Sequence, residues 1–295
     1  MKLKLKSFGL FLIAFAISIG IALPVSAASN TILIYGEKLT DAQRSEVRSS
    51  LDISDNETVE EYDVTGQDYA DYINGNPDAN MYSSARILLE EEGAGLTVNI
   101  VTPQNITEVT TEMYENALLT AGAENATVDV VSPVRVSGHS ALTGIYKAYD
   151  VEGEQLDKER MELANEELNV ATDLAENEDV SQEDVSKLLT EIKQMIAEQN
   201  PATREDVEQI VSEQLQNLNI SLSEEDRQML VDLFDKMRDL NIDFGAVKNQ
   251  LEDIANTVAD KAEELGLDAG FWEKVANFFS EIFASLSDLF SGLSN

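Results

Sequence analysis

Along Thr31 to Val134 the apolar positions change their step repeatedly, from two to three-and-four and back again. TILIYG, Thr31 to Gly36, is an apolar run of strand length, and Thr40 to Leu51 follows with helical spacing. Thr40 and Gln43 make a capping box, in which hydroxyl and amide satisfy the orphan amides of a helix start. Thr58 to Val64 alternates like a half-buried strand, and QDYADYING reads as a short helix or turn closed by Gly75 and Pro77. Two β-rich runs come next, Met81 to Glu91 and Leu96 to Pro103. The Gly93-Ala94-Gly95 between them predicts a hairpin. Thr107 to Ala121 is helical, with Val109, Met113, Ala117 and Leu118 on one stripe, and Ala126 to Val134 returns to strand. These segments make one mixed sheet with helices laid on it.

Beyond Ser137 the β pattern stops and helices continue to the end. Ser181 with Asp184, Thr203 with Asp206 and Ser223 with Asp226 mark three helix starts, each with an acidic group where the helix dipole favours it. Leu218-Asn219-Ile220-Ser221 recurs as Leu240-Asn241-Ile242-Asp243; two copies are too few for a solenoid, so they read as similar connectors between helices. After Asp243 the residues Phe244, Val247, Leu251, Ile254, Val258, Ala262 and Leu265 step by three and four, a seam that faces a core or a partner helix. The fold class expected is α+β, with a mixed α/β sheet domain over 28–150 and an all-helical region over 151–268.

The two ends carry a different pattern. Lys2, Lys4 and Lys6 precede an uncharged apolar run from Phe8 to Leu23 and then Pro24-Val25-Ser26-Ala27-Ala28. That is a signal peptide over 1–27, cut after Ala27 or, failing that, Ala28, and it sends the product out of the cytoplasm. The apolar run falls short of the ~20 residues a spanning helix needs. No cysteine stands at the cut to accept a lipid anchor.

Residues 269–295 form a C-terminal amphipathic aromatic helix. On a helical projection Phe271, Trp272, Val275, Phe278, Phe279, Ile282, Phe283, Leu286, Leu289, Phe290 and Leu293 share an arc of about 160°, and Glu273, Lys274, Glu281 and Asp288 lie outside it. Five of the seven phenylalanines left after the leader is removed are here, with the only tryptophan. Six aromatics left in water forfeit on the order of 10 kcal/mol, so the helix must dock. The docks open to it are its own helical half, a second copy, a partner protein of the envelope, or a membrane surface. A face without Lys/Arg clusters suits anionic lipid poorly, and Glu281 and Asp288 forbid a span.

Removing three lysines with the leader takes the formal charge from −36 to −39. Such a field opposes nucleic acid as a partner. Weak, diffuse divalent-cation binding fits it, but no D-x-[DN]-x-[DN]-G run exists, and Asp71 to Asp78 is oxygen-rich but out of pattern, so no cofactor is assigned. Without cysteine there is neither disulfide nor thiolate chemistry.

YGEKLTDAQR (Tyr35 to Arg44), the run Asn99 to Asp150 and LDKERMELANEEL (Leu156 to Leu168) resemble the YpuA-like secreted proteins of Gram-positive bacteria, a family known as domain of unknown function 1002. The resemblance covers most of the mature chain and is most specific from Asn99 to Leu168. It implies an extracytoplasmic, cell-envelope-associated protein with no established activity and no catalytic residues to carry over. The family pattern has small residues after Ser137-Gly138, where this chain has His139.

His139 is the single histidine, and its sequence context is that of an exposed loop residue, since Gly138-His139-Ser140 is not a nucleophile elbow. Among 56 acidic residues a glycosidase-like pair has no distinctive spacing; Asp63, Asp68 and Asp71 beside Tyr62 to Tyr72 are the first candidates. The leading expectation is therefore a non-enzymatic envelope module that makes contact through Phe271 to Leu293. The competing one is an extracellular hydrolase that cuts wall material with two carboxylates.

Overall fold

The structure, a computed structural model, describes residues 31–264 apart from 55–56, 58 and 177–179. The leader expected over 1–27 with its cut at Ala27 or Ala28, and the aromatic helix expected over 269–295, lie outside the described residues.

The chain is α+β. Five strands form one mixed sheet: β1 (Thr31–Gly36), β2 (Glu60–Val64), β3 (Ser84–Leu89), β4 (Leu96–Ile100) and β5 (Ala126–Val131), in the order β2-β1-β3-β5-β4. β1 runs parallel to β2 and β4 parallel to β5, while β3 is antiparallel to both β1 and β5. Period-two alternation sends Ile32, Ile34, Ala85, Ile87, Val98, Val128 and Val130 into the main core. It sends Leu33, Tyr35 and Val131 to the opposite face, where α1 (Asp41–Ser50) covers them with Val47.

The predicted hairpin does not form, because β5 lies between β3 and β4. Gly93 and Gly95 do turn the chain, at φ of +89° and +86°. The turn is wide because it wraps the residue before β5. Asn125 Oδ1 accepts from Gly93 N at 2.8 Å and Gly95 N at 3.2 Å, and the Asn125 carbonyl accepts from Glu90 N at 3.0 Å.

The remaining described helices are α2 (Gly66–Ile73), α3 (Thr111–Ala121), α4 (Ser140–Glu152), α5 (Lys158–Ala175), α6 (Gln182–Gln199), α7 (Arg204–Asn217), α8 (Glu224–Asp239) and α9 (Lys248–Glu264). The predicted caps are present. Thr40 and Gln43 close a capping box, as do Thr203 and Asp206, and Ser181 and Ser223 accept from the amides of Asp184 and Asp226. The repeated Leu-Asn-Ile element ends α7 and α8 in the same way. Asn219 and Asn241 take left-handed φ of 54° and 51°, and the next amide returns to Leu215 O and Met237 O respectively.

α4 lies on β1 and β3, α3 beside β4, and α5 against α3. α6 is buried along almost its whole length and is packed by α5, α7 and α9. Of the expected seam, Phe244 and Val247 just before α9 and Leu251, Ile254 and Val258 on it are buried, while the Ala262 side chain and Leu265 lie outside the described residues. One contiguous apolar core thus runs from Ile32 to Val258.

Candidate functional site

The carboxylates first suggested by the sequence are each committed to a structural partner. Asp63 pairs with Arg44 at 2.6 Å. Asp68 accepts from the amide of Thr65 in the cap of α2 and from Lys147 Nζ at 2.8 and 2.9 Å. Asp71 accepts from Gln67 at 2.8 Å. The oxygen-rich turn that follows is likewise self-satisfied: Asn74 is the left-handed cap of α2 and donates to Glu162, and Asn76 Oδ1 accepts from Asp78 N. No group of three or more His, Asp or Glu among the described residues is arranged to hold a metal ion.

His139 is half-buried at the start of α4 instead of exposed in a loop. Thr172, which comes from α5, is what covers it. Thr172 Oγ1, which also lies within reach of Leu168 O and Asn169 O, shares a hydrogen bond of 3.3 Å with His139 Nε2, and Ser137 Oγ shares one of 3.2 Å with Nδ1. Burial pulls the imidazole below its ordinary pKa, against the raising influence of Glu108 and Asp173. The histidine is thus a neutral buttress between α4 and α5 near neutral pH.

Two polar assemblies were not foreseen. The first is internal. α3 carries Glu112, Asn116 and Thr120 on one stripe, all buried, facing α5 and α6. Thr110 meets Ser186 at 3.3 Å, Asn116 Nδ2 donates to Thr190 at 2.8 Å, and Thr120 donates to Glu167 at 2.6 Å. Lys193, 0% exposed, pairs with Glu167 at 2.6 Å and donates to Asn116 O at 2.7 Å. Burial pulls the Lys193 ammonium pKa down, and the Glu167 carboxylate opposes that. Such a network specifies one register of three helices.

The second opens to the surface at the edge of the sheet. β4 is an edge strand, and the outward amides of Leu96 and Val98 meet no neighbouring strand. Side chains take that role: Gln250 of α9 accepts from Leu96 N at 2.8 Å, and Glu115 of α3 accepts from Val98 N at 3.3 Å. Between the three elements is a cleft of about 260 Å³ lined by Leu96, Thr97, Glu115, Leu119, Gln250, Asp253, Ile254 and Thr257. Glu115 is pushed up to about 7, mainly by burial; Glu112 and Asp253 add to the shift, and Val98 N–H and Lys261 counter it. Lys261 itself pairs with Glu112. Chemically this is a carboxyl poised to exchange a proton near neutrality beside a second carboxylate.

A shallower groove of about 340 Å³ runs between α5 and α8, with Leu163 and Leu240 below Glu159, Glu162, Glu166 and Asp239. Lys236 bridges it to Glu166 at 2.6 Å. No described helix is long and apolar enough to cross a membrane.

A family model described as a protein of unknown function, DUF1002, matches residues 35–254. The uncharacterized protein YpuA of Bacillus subtilis (strain 168) is 31% identical over 277 residues, covering 92% of this chain and 93% of that protein. No solved structure matches.

Proposed function

The chain belongs to the DUF1002 family of proteins of unknown function, and from that starting point we propose that it is an exported, non-enzymatic module of the cell envelope. It contacts a partner protein or membrane surface through its C-terminal amphipathic helix. The observation that carries this reading is a mismatch of aromatic supply and demand. Among the described residues the core from Ile32 to Val258 holds two phenylalanines, Phe234 and Phe244, while five more and the only tryptophan follow it in the sequence with the spacing of one helical stripe. Export is supported by the leader pattern and by the start of β1 at Thr31, so a cut after Ala27 leaves the first strand whole. The module uses no cofactor. Its acidity gathers divalent cations diffusely and turns nucleic acid away.

The test is deletion of 270–295 from the mature chain, followed by light scattering for oligomeric state and co-sedimentation with zwitterionic phosphatidylcholine vesicles. The reading expects the deletion to abolish self-association or sedimentation and to leave the thermal midpoint in place. Unchanged association with a lowered midpoint would mean that the helix is ordinary core.

The cleft supports a second reading. A carboxyl protonated near pH 7 beside Asp253 is the acid partner that hydrolysis of wall polysaccharide by two carboxylates requires. Release of reducing ends from purified wall by the intact chain, lost in Glu115→Gln, would establish it; absence of release rejects it.

A further inference from the structure

The cleft between β4, α3 and α9 has fixed walls. α9 is anchored beside it by buried Leu251, Ile254 and Val258 and by the Lys261–Glu112 pair, and β4 is anchored by its ladder to β5. A space of about 260 Å³ between such walls is preformed, and its chemistry follows from which donors and acceptors are already engaged.

Most of the donors are engaged. The Leu96 and Val98 amides go to Gln250 and Glu115, and the Thr257 hydroxyl goes to the Asp253 carbonyl. Only the neutral Thr97 hydroxyl and the Gln250 amide can still donate. The acceptors are largely open. Gly95 O receives the Ala126 amide, so by alternation Leu96 O turns away from β5, to the side where its own amide meets Gln250, and no described group donates to it. Glu115 Oε2 and the Asp253 carboxylate are equally open, and neither side chain has a cation partner among the described residues. Lys261, the cation that acts on Glu115, is held by Glu112. Below these acceptors lie Leu119 and Ile254, a floor of apolar side chains.

We propose that this cleft is a receptor for a primary ammonium group on a short aliphatic stem, with Glu115 and Asp253 as counter-charges, the Leu96 carbonyl as a third acceptor, and Leu119 and Ile254 along the stem. The three N–H donors of such a group meet the open acceptors, and its stem covers the floor. A bare metal ion would leave the floor in water, and a quaternary ammonium would leave the acceptors without donors.

The test is a titration of the full mature chain followed by amide nuclear magnetic resonance at pH 8, where Glu115, pushed up to about 7, is ionised. Salt at about 0.15 M screens diffuse attraction to the acidic surface. n-Butylammonium is expected to give saturating shifts at Leu96, Thr97 and Leu119 and none at Val47 on the opposite face of the sheet. Butyltrimethylammonium, with the same charge and stem but no N–H, should bind about 10-fold more weakly. Glu115→Gln, whose amide oxygen can still accept from Val98 N, should weaken n-butylammonium about 10-fold, and Asp253→Asn, at an exposed position on α9, about 3-fold. Nα-Acetyl-lysine methylamide presents the same group on a peptide: binding as tight as that of n-butylammonium assigns the site to a lysine-like side chain, and weaker binding assigns it to a free small amine. Equal affinity for the ammonium and its trimethyl analogue, shifts scattered over the acidic surface, or an unchanged affinity in either variant overturns the site. Neither hydrolysis nor the aromatic terminus enters this readout, so the site stands or fails apart from both readings above.

Discussion

Removing Lys193 alone should be among the most damaging single changes to the described body. Lys193→Met deletes an ammonium that is 0% exposed and leaves the Glu167 carboxylate, 1% exposed, with only the Thr120 hydroxyl at 2.6 Å. Breaking one side of such a buried pair costs about 3–5 kcal/mol, because the remaining charge has lost its partner without regaining water. In a body of this size each kcal/mol moves the midpoint by about 2–4 °C, so a fall of about 6–20 °C is expected. The double variant Lys193→Met with Glu167→Leu should behave differently. It removes both charges, and Thr120 can then turn its hydroxyl to the carbonyl of Asn116, four residues back, which Lys193 no longer occupies. The double variant should lie within about 1–2 kcal/mol of wild type, a coupling of at least about 2 kcal/mol. Urea unfolding followed by far-ultraviolet circular dichroism at pH 7 measures all four corners of the cycle, with unchanged slopes as the check on two-state behaviour. A cost below about 1 kcal/mol for the single variant, or a double variant as unstable as the sum of its parts, refutes the argument.

Substitutions at two further positions test backbone geometry by the same urea assay. Gly138→Ala should lose about 1–3 kcal/mol, since the residue sits at φ +117° and an added Cβ would lie 2.7 Å from the Tyr114 hydroxyl and 2.9 Å from Ile106 Cγ2. At the end of α8, Asn241→Ala should cost about 1 kcal/mol while Asn241→Gly stays within a few tenths, because glycine carries no penalty at the left-handed φ of 51°. Equal effects of alanine and glycine there would show that the connector is not held by its φ.

What the sequence made legible was local. Thr40 with Gln43, Ser181, Thr203 and Ser223 act within four residues of themselves, so their positions could be read without knowledge of the fold. The paired Leu-Asn-Ile connectors were legible for the same reason. The hairpin failed because two glycines specify a turn but not which strand lies beside it; that choice belongs to Asn125, thirty residues on. His139 was misplaced because its cover, Thr172, comes from 33 residues away. Glu112, Asn116, Thr120, Lys187 and Lys193 carry the residue types of a solvated face, and only helices packing from every side make them interior. The cleft joins Leu96 to Gln250 across 154 positions, and neither residue carries a motif. A polar residue that covers an edge amide looks, in sequence, like any other polar residue.

The insertion of β5 between β3 and β4 also sets an order of events. On a chain that emerges amino end first, β1, β2 and β3 can pair as they appear, but β4 has no neighbour until Ala126–Val131 has been made. Until then Ile87 and Val98, both buried in the finished molecule, lie on separate pieces with no strand to join them. An interior strand of the sheet is thus its last to be synthesised. A product stalled between Leu89 and Ala126 carries an unpaired β3 edge, a natural target for chaperones and proteases.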